Sequence, residues 1–478
     1  MTGAIEHSKT SGRHGLILFS IAFATFMVNV DSYIVNISLP TISSYFRADT
    51  ASVSWVVMSY QLTVTGLLLV FGTLGDRIGI KRLFMLGYGL FTVSSLLCAM
   101  SPTLGWLVAG RALQGIGASV LYALTPAMVP KFLPPDMRGT AFGTLATVAA
   151  LGITLGTPLG GLLTGILSWH WAFLINLPIG LAAMLVCHRV LPDDQPLQGG
   201  IKLPAFDYAG SALSFIGLLS LIYMLSRLDS TSARSPVVIA ALSIFLVSSA
   251  AFVLWERLTP HPLLDYSLFR DRSFNLGNLA NFLCLSFLAG HNFIIPFYLI
   301  IIKGLPTEKA GSVFLLYSLV YMGVGPLAGK LTKRISPRTL CSAALGLGVI
   351  VSLGFSVLLR NDGMLAVYAY FVGMALVMAT FIPANNTLVM GMAPHGKQGV
   401  VAGSFRMIGR VGMTFGICLF QALFTWSASQ DGPLHLEAMK GIERIHLLNS
   451  FSTVYLAGGL IFAIGAVGSL LAREKKAM

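Results

Sequence analysis

Runs of roughly 20 apolar residues recur from Leu16 to Leu471, each long enough to cross a bilayer as a helix and separated from the next by a short polar segment. Backbone in hydrocarbon must satisfy its own hydrogen bonds, as it does in a bundle of spanning helices. Long unalternating runs specify helices. Soluble domains carry about 25% charged residues, whereas this chain carries 10% and is 55% hydrophobic. The expectation is an all-α integral membrane protein with fourteen spans, near 16–39, 53–71, 83–100, 104–129, 141–166, 171–189, 207–226, 236–255, 273–300, 310–330, 338–358, 364–390, 399–425 and 451–472.

The net charge of +13 sits in short clusters between apolar runs, with no separate polar domain. It reads as a topology signal and not as a nucleic-acid surface. With the N-terminus inside, three clusters fall on one side: Arg77, Lys81 and Arg82; Lys330, Lys333, Arg334 and Arg338; and Arg473, Lys475 and Lys476. The positive-inside rule then predicts both termini cytoplasmic. Cys98, Cys187, Cys284, Cys341 and Cys418 form no CxxC pair and lie in or beside apolar runs, which indicates neither a metal site nor a disulfide framework. The polar N-terminus leads into an apolar stretch with no A-x-A-like cleavage site, so the first run is expected to remain as a span.

Three segment pairs recur at nearly constant spacing: GTLGDRIGIKR from Gly72 with GPLAGKLTKRISPR from Gly325, RGTAFG from Arg138 with QGVVAG from Gln398, and Gly152/Gly156 with Gly412/Gly416. They predict two homologous six-span halves, residues 1–190 and 259–478. Between them, residues 191–258 hold two inserted spans behind a polar, Pro- and Gly-rich linker, LPDDQPLQGGIKLP. Repeated halves are the usual build of secondary transporters, with the substrate site between them near the bilayer midplane.

Several local motifs carry chemistry. In Gly72-Thr-Leu-Gly-Asp76-Arg77-Ile-Gly79-Ile-Lys81-Arg82, small residues permit a tight turn and Asp76 can face a helix N-terminus or a basic partner. Arg111-Ala-Leu-Gln114-Gly115-Ile-Gly117 puts an arginine seven residues into an apolar run, at a cost of roughly 2.5–3.5 kcal/mol on insertion scales. Gly152-Ile-Thr-Leu-Gly156-Thr-Pro158-Leu-Gly160-Gly161 supplies glycines for close helix approach and a proline for a bend. With Val30-Asp31-Ser-Tyr33-Ile-Val-Asn36-Ile-Ser-Leu39-Pro40, Trp169-His170-Trp171-Ala-Phe173-Leu-Ile-Asn176-Leu-Pro178-Ile-Gly180 and Trp255-Glu256-Arg257 through Leu268-Phe269-Arg270, these segments resemble the signatures of the major facilitator superfamily. Within it they resemble the fourteen-span drug:proton antiporter branch, over nearly the whole chain and most specifically over residues 30–180.

The resemblance implies a major facilitator fold of two six-helix bundles plus two inserted helices, fourteen transmembrane helices in all, with no cofactor. It implies a gating loop formed by Gly72, Asp76, Arg77, Gly79 and Lys81, which stabilises the outward-facing state. It also implies a helix-bend motif that marks antiport, at Gly152, Gly156, Pro158, Gly160 and Gly161. The chain departs from the family's pattern at Ile80, where a basic residue is common, and at Thr157, where proline is expected and is displaced to Pro158. It departs again at Tyr33, where the branch has threonine, and at His170, often arginine.

Of eighteen acidic residues, only Asp31 falls well inside an apolar run. It lies about eight residues from the outer end of the first span and Arg111 about seven from the outer end of the fourth, roughly 10–12 Å deep at 1.5 Å per residue. The two can share a layer. A carboxylate in such a place binds or sheds a proton according to its hydration and its distance from a guanidinium, which is the physical requirement of proton antiport. Asp31 is therefore the expected proton carrier and Arg111 its tuner; a permanent ion pair or a polar packing pair is the alternative.

The C-terminal half has no comparable acid. Arg406 and Arg410, four apart, share a helix face and suit either an anionic group in the cavity or a lipid headgroup. His291 suits titration or substrate binding, or a hydrogen-bonded structural role. Tyr33, Asn36, Tyr60, Gln61, Gln114, Asn281, Asn292, Tyr317, Tyr321, Asn385 and Asn386 add polar and aromatic groups in spans that would border a cavity, although helix packing explains them as well. The expected activity is proton-coupled export of amphipathic small molecules across the cell inner membrane by alternating access. The expected protein is a monomer whose partners are its small-molecule substrate, protons and membrane lipid. Transport of a specific metabolite, such as an organic anion, is the alternative, since Arg111, Arg406 and Arg410 outnumber Asp31. An enzyme would need clustered His, Asp or Glu at a span end or a phosphate-binding loop, and the sequence has neither.

Overall fold

The computed structural model describes residues 2–192, 207–226, 235–259, 268–332, 334–392, 398–428 and 444–472. Most of the linker LPDDQPLQGGIKLP, Lys333 and the terminal cluster Arg473, Lys475 and Lys476 lie outside the described residues. Among the described residues every regular element is a helix. In chain order these are α1 (Thr2–Ile34), α2 (Leu39–Phe46), α3 (Thr50–Ile78), α4 (Ile80–Ala99), α5 (Leu104–Phe132), α6 (Pro135–Ile166), α7 (Trp171–Leu174), α8 (Asn176–Val190), α9 (Tyr208–Ser226) and α10 (Pro236–Leu258). They continue as α11 (Arg272–Phe297), α12 (Thr307–Leu331), α13 (Pro337–Leu358), α14 (Leu365–Gly391), α15 (Gln398–Ala428) and α16 (Arg444–Leu471). Among the described residues thirteen segments are long and apolar enough to cross a membrane, and a shorter apolar helix, Ala209–Leu225, stands at the seventh expected span. The expected all-α membrane fold is the one observed.

Local chemistry sets the helix ends. α1 stops at Ile34, Asn36–Ser38 tighten into a 3-10 turn, and α2 begins with Pro40 in its first turn, where a missing N–H costs nothing. Gly79 separates α3 from α4 at φ 109°, a left-handed conformation glycine adopts without strain. Thr103 caps α5 by accepting from the Trp106 amide at 3.3 Å. Asp271 caps α11 by accepting from the Ser273 and Phe274 amides at 2.8 and 3.3 Å. Along the outer faces Leu86, Val93, Val247, Leu319 and Val357 are exposed. Such faces meet acyl chains without cost, because lipid tails are as apolar as leucine.

The chain divides into two compact units, Met1–Ser38 with Trp55–Phe215 and Thr259–His261, and Leu39–Ser54 with Ile216–Leu258 and Pro262–Met478. In the first unit α1 packs on α6, and α4 on both α5 and α8. In the second, α11 packs on α15, α13 on α14 and α16, and α12 on α14. Glycines explain the α1/α6 contact. A Cβ at Gly152 would lie 2.9 Å from the Phe26 carbonyl oxygen and one at Gly156 2.9 Å from that of Val30, while Gly160 faces the Ile34 carbonyl. Backbone approach this close admits no side chain. The repeat read from the sequence makes the same contact in the second unit, where Gly412 faces the Phe282 carbonyl and Gly416 that of Ser286. Pro158 lies within the uninterrupted α6, and Gly161 is buried beside it. Thr157, which replaces the expected proline, donates its hydroxyl to the Tyr33 carbonyl at 3.4 Å and so ties α6 to α1.

Candidate functional site

The first unit brings α1, α3, α4, α5 and α8 together around one carboxylate. Asp31 and Arg111 are both fully buried. Asp31 Oδ2 accepts from Arg111 Nη1 at 2.7 Å, and Oδ1 accepts from Gln114 Nε2 and Asn176 Nδ2, each at 2.8 Å. Arg111 Nη1 also donates to Gln114 Oε1 at 2.5 Å, and Arg111 Nε donates to the Val56 carbonyl of α3 at 3.0 Å. Gln114 Nε2 reaches Ser95 Oγ at 2.7 Å, joining α4 to the network. The guanidinium carbon sits 4.1 Å from the Tyr60 ring centre and 5.8 Å from that of Phe173, so aromatic faces complete its surroundings. Arg111 Nη2 has no hydrogen-bond partner among the described residues.

The local sequence explains the assembly. Arg111 and Gln114 are three apart and therefore share a face of α5. Gly115, next along α5, comes so close to α3 that a Cβ would lie 2.8 Å from the Tyr60 carbonyl oxygen. That approach sets Tyr60 under the guanidinium. Removing two charges from water costs several kcal/mol per ion, so the pair holds only because geometry and added hydrogen bonds offset the loss. The arrangement is a poor stabiliser and a sensitive one.

The other expected site residues are distributed as follows. Gln114, expected on a cavity wall, closes on Asp31. Tyr60 has its hydroxyl 3.4 Å from both Ser32 Oγ and the Val28 carbonyl. Gln61, Tyr33 and Asn36 are buried nearby in chain order. Asn36 Oδ1 has no partner among the described residues. In the second unit His291 Nδ1 lies 3.0 Å from Tyr370 Oη and 3.1 Å from Tyr455 Oη, a hydrogen-bonded setting inside an aromatic core. Asn281 donates to the Phe405 carbonyl at 3.2 Å, tying α11 to α15. Asn292 is buried, and Asn385 is fully buried with neither amide atom partnered among the described residues. Tyr317 and Tyr321 stack along α12 with ring centres 6.0 Å apart. Arg406 and Asn386 are exposed and Arg410 is half-buried.

In the gating segment Gly72 and Lys81 are half-buried and Gly79 makes the turn; the side chains of Asp76 and Arg77 lie outside the described residues. Asn176, Ser95 and the Val56 carbonyl were not singled out as site groups from the sequence. The spacing of Arg111 and Gln114 was a usable signal for Gln114, whereas neutral Ser95 carried none. Glu256, which the sequence puts at a span end, is buried in the last turn of α10. Among the described residues no group of three or more His, Cys, Asp or Glu is placed to hold a metal.

The sequence model described as Major Facilitator Superfamily matches residues 21–417. The chain is 28% identical over 452 residues to the riboflavin transporter RibZ of Clostridioides difficile, covering 94% of this chain and 95% of that protein. It is 29% identical over 427 residues to the multidrug efflux pump LfrA of Mycolicibacterium smegmatis, covering 88% and 83%. Among solved structures, a bacterial homolog of the human lysosomal transporter Spinster, inward-facing and occupied, aligns with TM-score 0.68 over 95% of this chain and 96% of that one. At 12% identity that likeness is one of fold alone. The chain belongs to the major facilitator superfamily and is a multi-pass membrane transporter.

Proposed function

We propose that this transporter exports amphipathic small molecules in exchange for protons, in the manner of the fourteen-span drug:proton antiporters, with Asp31 as the proton-binding group and Arg111 as its tuner. The observation that carries the reading is the shell around Asp31: both oxygens of a buried carboxylate accept hydrogen bonds from three side chains, Arg111 and Gln114 on α5 and Asn176 on α8. Ionisable groups inside a membrane mark ion and proton pathways. Donors and a cation on the carboxylate favour its charged form, so a movement of α5 or α8 against α1 that withdraws one of them favours proton binding at Asp31. By linkage, protonation loosens the same contacts. The α6 glycines touch α1 at Val30, beside Asp31, so sliding of α6 along α1 reaches this layer directly.

In this reading residues 1–190 and 259–478 are the two moving halves of a monomer. Gly72, Asp76, Arg77, Gly79 and Lys81 gate it, and both termini face the cytoplasm across a bacterial inner membrane. The multidrug name of LfrA favours broad amphipathic cargo. The riboflavin name of RibZ, with Arg406 and Arg410 on one helix, favours a second reading in which the cargo is one specific metabolite.

Proteoliposomes with an imposed proton gradient test both parts. Asp31→Asn is expected to abolish gradient-driven movement of every substrate while gradient-independent counterflow persists; undiminished coupled transport by this variant would reject Asp31 as the carrier. A panel of a lipophilic cationic dye, an organic anion and a flavin separates the two cargo readings.

A further inference from the structure

We propose that a furrow between α4 and α8, on the outside of the first unit, binds one anionic phospholipid, its phosphate held by Lys81, Arg82 and His188 and an acyl chain laid along Leu86, Gly89 and Val93. The furrow encloses about 850 Å³. Its lining is divided by chemistry. Lys81 and Arg82 stand in the first turn of α4 and His188 in the last turn of α8, while the remaining lining residues are apolar.

The apolar part follows helical spacing. Arg82, Leu86, Gly89 and Val93 recur at intervals of three or four and form one stripe along α4. From Arg82 to Val93 the stripe runs about 16 Å at 1.5 Å per residue, about half the ~30 Å hydrocarbon thickness, which is the depth of a single leaflet. Leu86 is 65% and Val93 58% exposed, so the stripe is reached from the bilayer and does not depend on the transport core. Gly89 forms the trough: a Cβ there would meet only the Met184 Cε, at an ordinary 3.8 Å. A long acyl chain fits such a groove as no water-soluble ligand does.

The polar end suits phosphate on two counts. Basic side chains near the bilayer surface attract anionic headgroups. Lys81 and Arg82 also stand in the first turn of α4, where Gly79 supplies no side-chain cap and the helix end carries a partial positive charge. Charge complementarity and the apolar continuation together favour a phospholipid over free phosphate or a protein partner. This inference does not rest on proton coupling at Asp31.

The test uses the purified full chain in a nonionic detergent, titrated with phosphatidylglycerol or phosphatidylcholine, with bound lipid counted by native mass spectrometry. Phosphatidylglycerol is expected to be retained over phosphatidylcholine, and the Arg82→Gln variant to weaken it roughly five-fold. Gly89→Leu fills the trough and is expected to weaken phosphatidylglycerol with every charge in place, while Gly89→Ala keeps both fold and binding. Equal retention of the two lipids, or full binding by Gly89→Leu, overturns the proposal. So does displacement of the lipid by millimolar inorganic phosphate, since the site would then read the anion alone.

Discussion

The two units share a helix contact and differ in what lies beside it. On α6, Gly152 and Gly156 face the carbonyls of Phe26 and Val30; on α15, Gly412 and Gly416 face those of Phe282 and Ser286. In that register Asp31, which follows Val30, has Phe287, which follows Ser286, as its counterpart. Asp31 is ringed by Arg111, Gln114 and Asn176. Phe287 instead packs 4.3 Å from the Phe462 ring, 5.5 Å from Phe420 and 6.0 Å from His291. Small residues thus set how closely two helices approach, whatever chemistry occupies the next layer. The same glycine contact recurs in both units, while the layer beside it is an ionisable site in one and an aromatic core in the other.

The largest expected difference between the units is the cost of breaking each core. Arg111→Ala leaves a buried carboxylate without its cation and is expected to destabilise by about 3–5 kcal/mol. Tyr455→Phe removes one of two hydroxyls at His291 Nδ1 and is expected to cost only about 0.5–1.5 kcal/mol. Unfolding in detergent micelles, followed by heat or denaturant, measures both. The double variant Asp31→Asn/Arg111→Gln is expected to recover most of the stability without recovering coupled transport. Equal losses for Arg111→Ala and Tyr455→Phe would mean that the two cores are energetically alike and that the charge network has no special sensitivity.

Much of this contrast was legible in the sequence, and for identifiable reasons. A charge in an apolar run is costly, so Asp31 and Arg111 announced themselves, and counting residues from the span ends brought them to one layer. Backbone-to-backbone contact demands glycine, so the Gly152/Gly156 and Gly412/Gly416 repeat was visible before its contacts were. Ser95 and Asn176 were not visible as ligands of the site. A serine in a membrane helix commonly bonds its own preceding turn, as Ser95 does to the Phe91 carbonyl, and nothing in one sequence says that its hydroxyl also meets Gln114. The break in the first span at Val35 was likewise missed, since Pro40 marks the restart of the helix but not where α1 ends.

A smaller effect sharpens the shared interface. Gly156→Val and Gly416→Val each push a branched side chain into a facing backbone, and each is expected to cost about 1–3 kcal/mol as overpacking. Gly323→Ala on α12, where no atom lies within 4 Å, is expected to gain up to about 1 kcal/mol from helix propensity. Similar losses at positions 156 and 416 in the same unfolding assay support one repeated contact. A loss at only one of them would show that the two interfaces bear different loads.

The smallest effect concerns a second ion pair, which holds the chemistry constant and changes only burial. Asp362, at the connection between α13 and α14, pairs with Arg444, the first residue of α16, and both side chains are largely exposed. The Arg444 hydrogen bond and charge, with a lesser contribution from Lys303, hold the Asp362 carboxyl below the usual carboxylate range. A carboxyl depressed in the folded state contributes stability above its unfolded pKa, near 3.9, and loses that contribution as pH falls through the folded value. Asp362→Asn should therefore lower the melting temperature slightly at neutral pH, and the gap from the parent protein should close on acidification below the ordinary carboxylate range. Water and salt screen such a pair, so it is expected to be far weaker than the buried one. If Asp362→Asn destabilised as much as Arg111→Ala, burial would not be what separates the two pairs, and the sensitivity assigned to the Asp31 layer would need another cause.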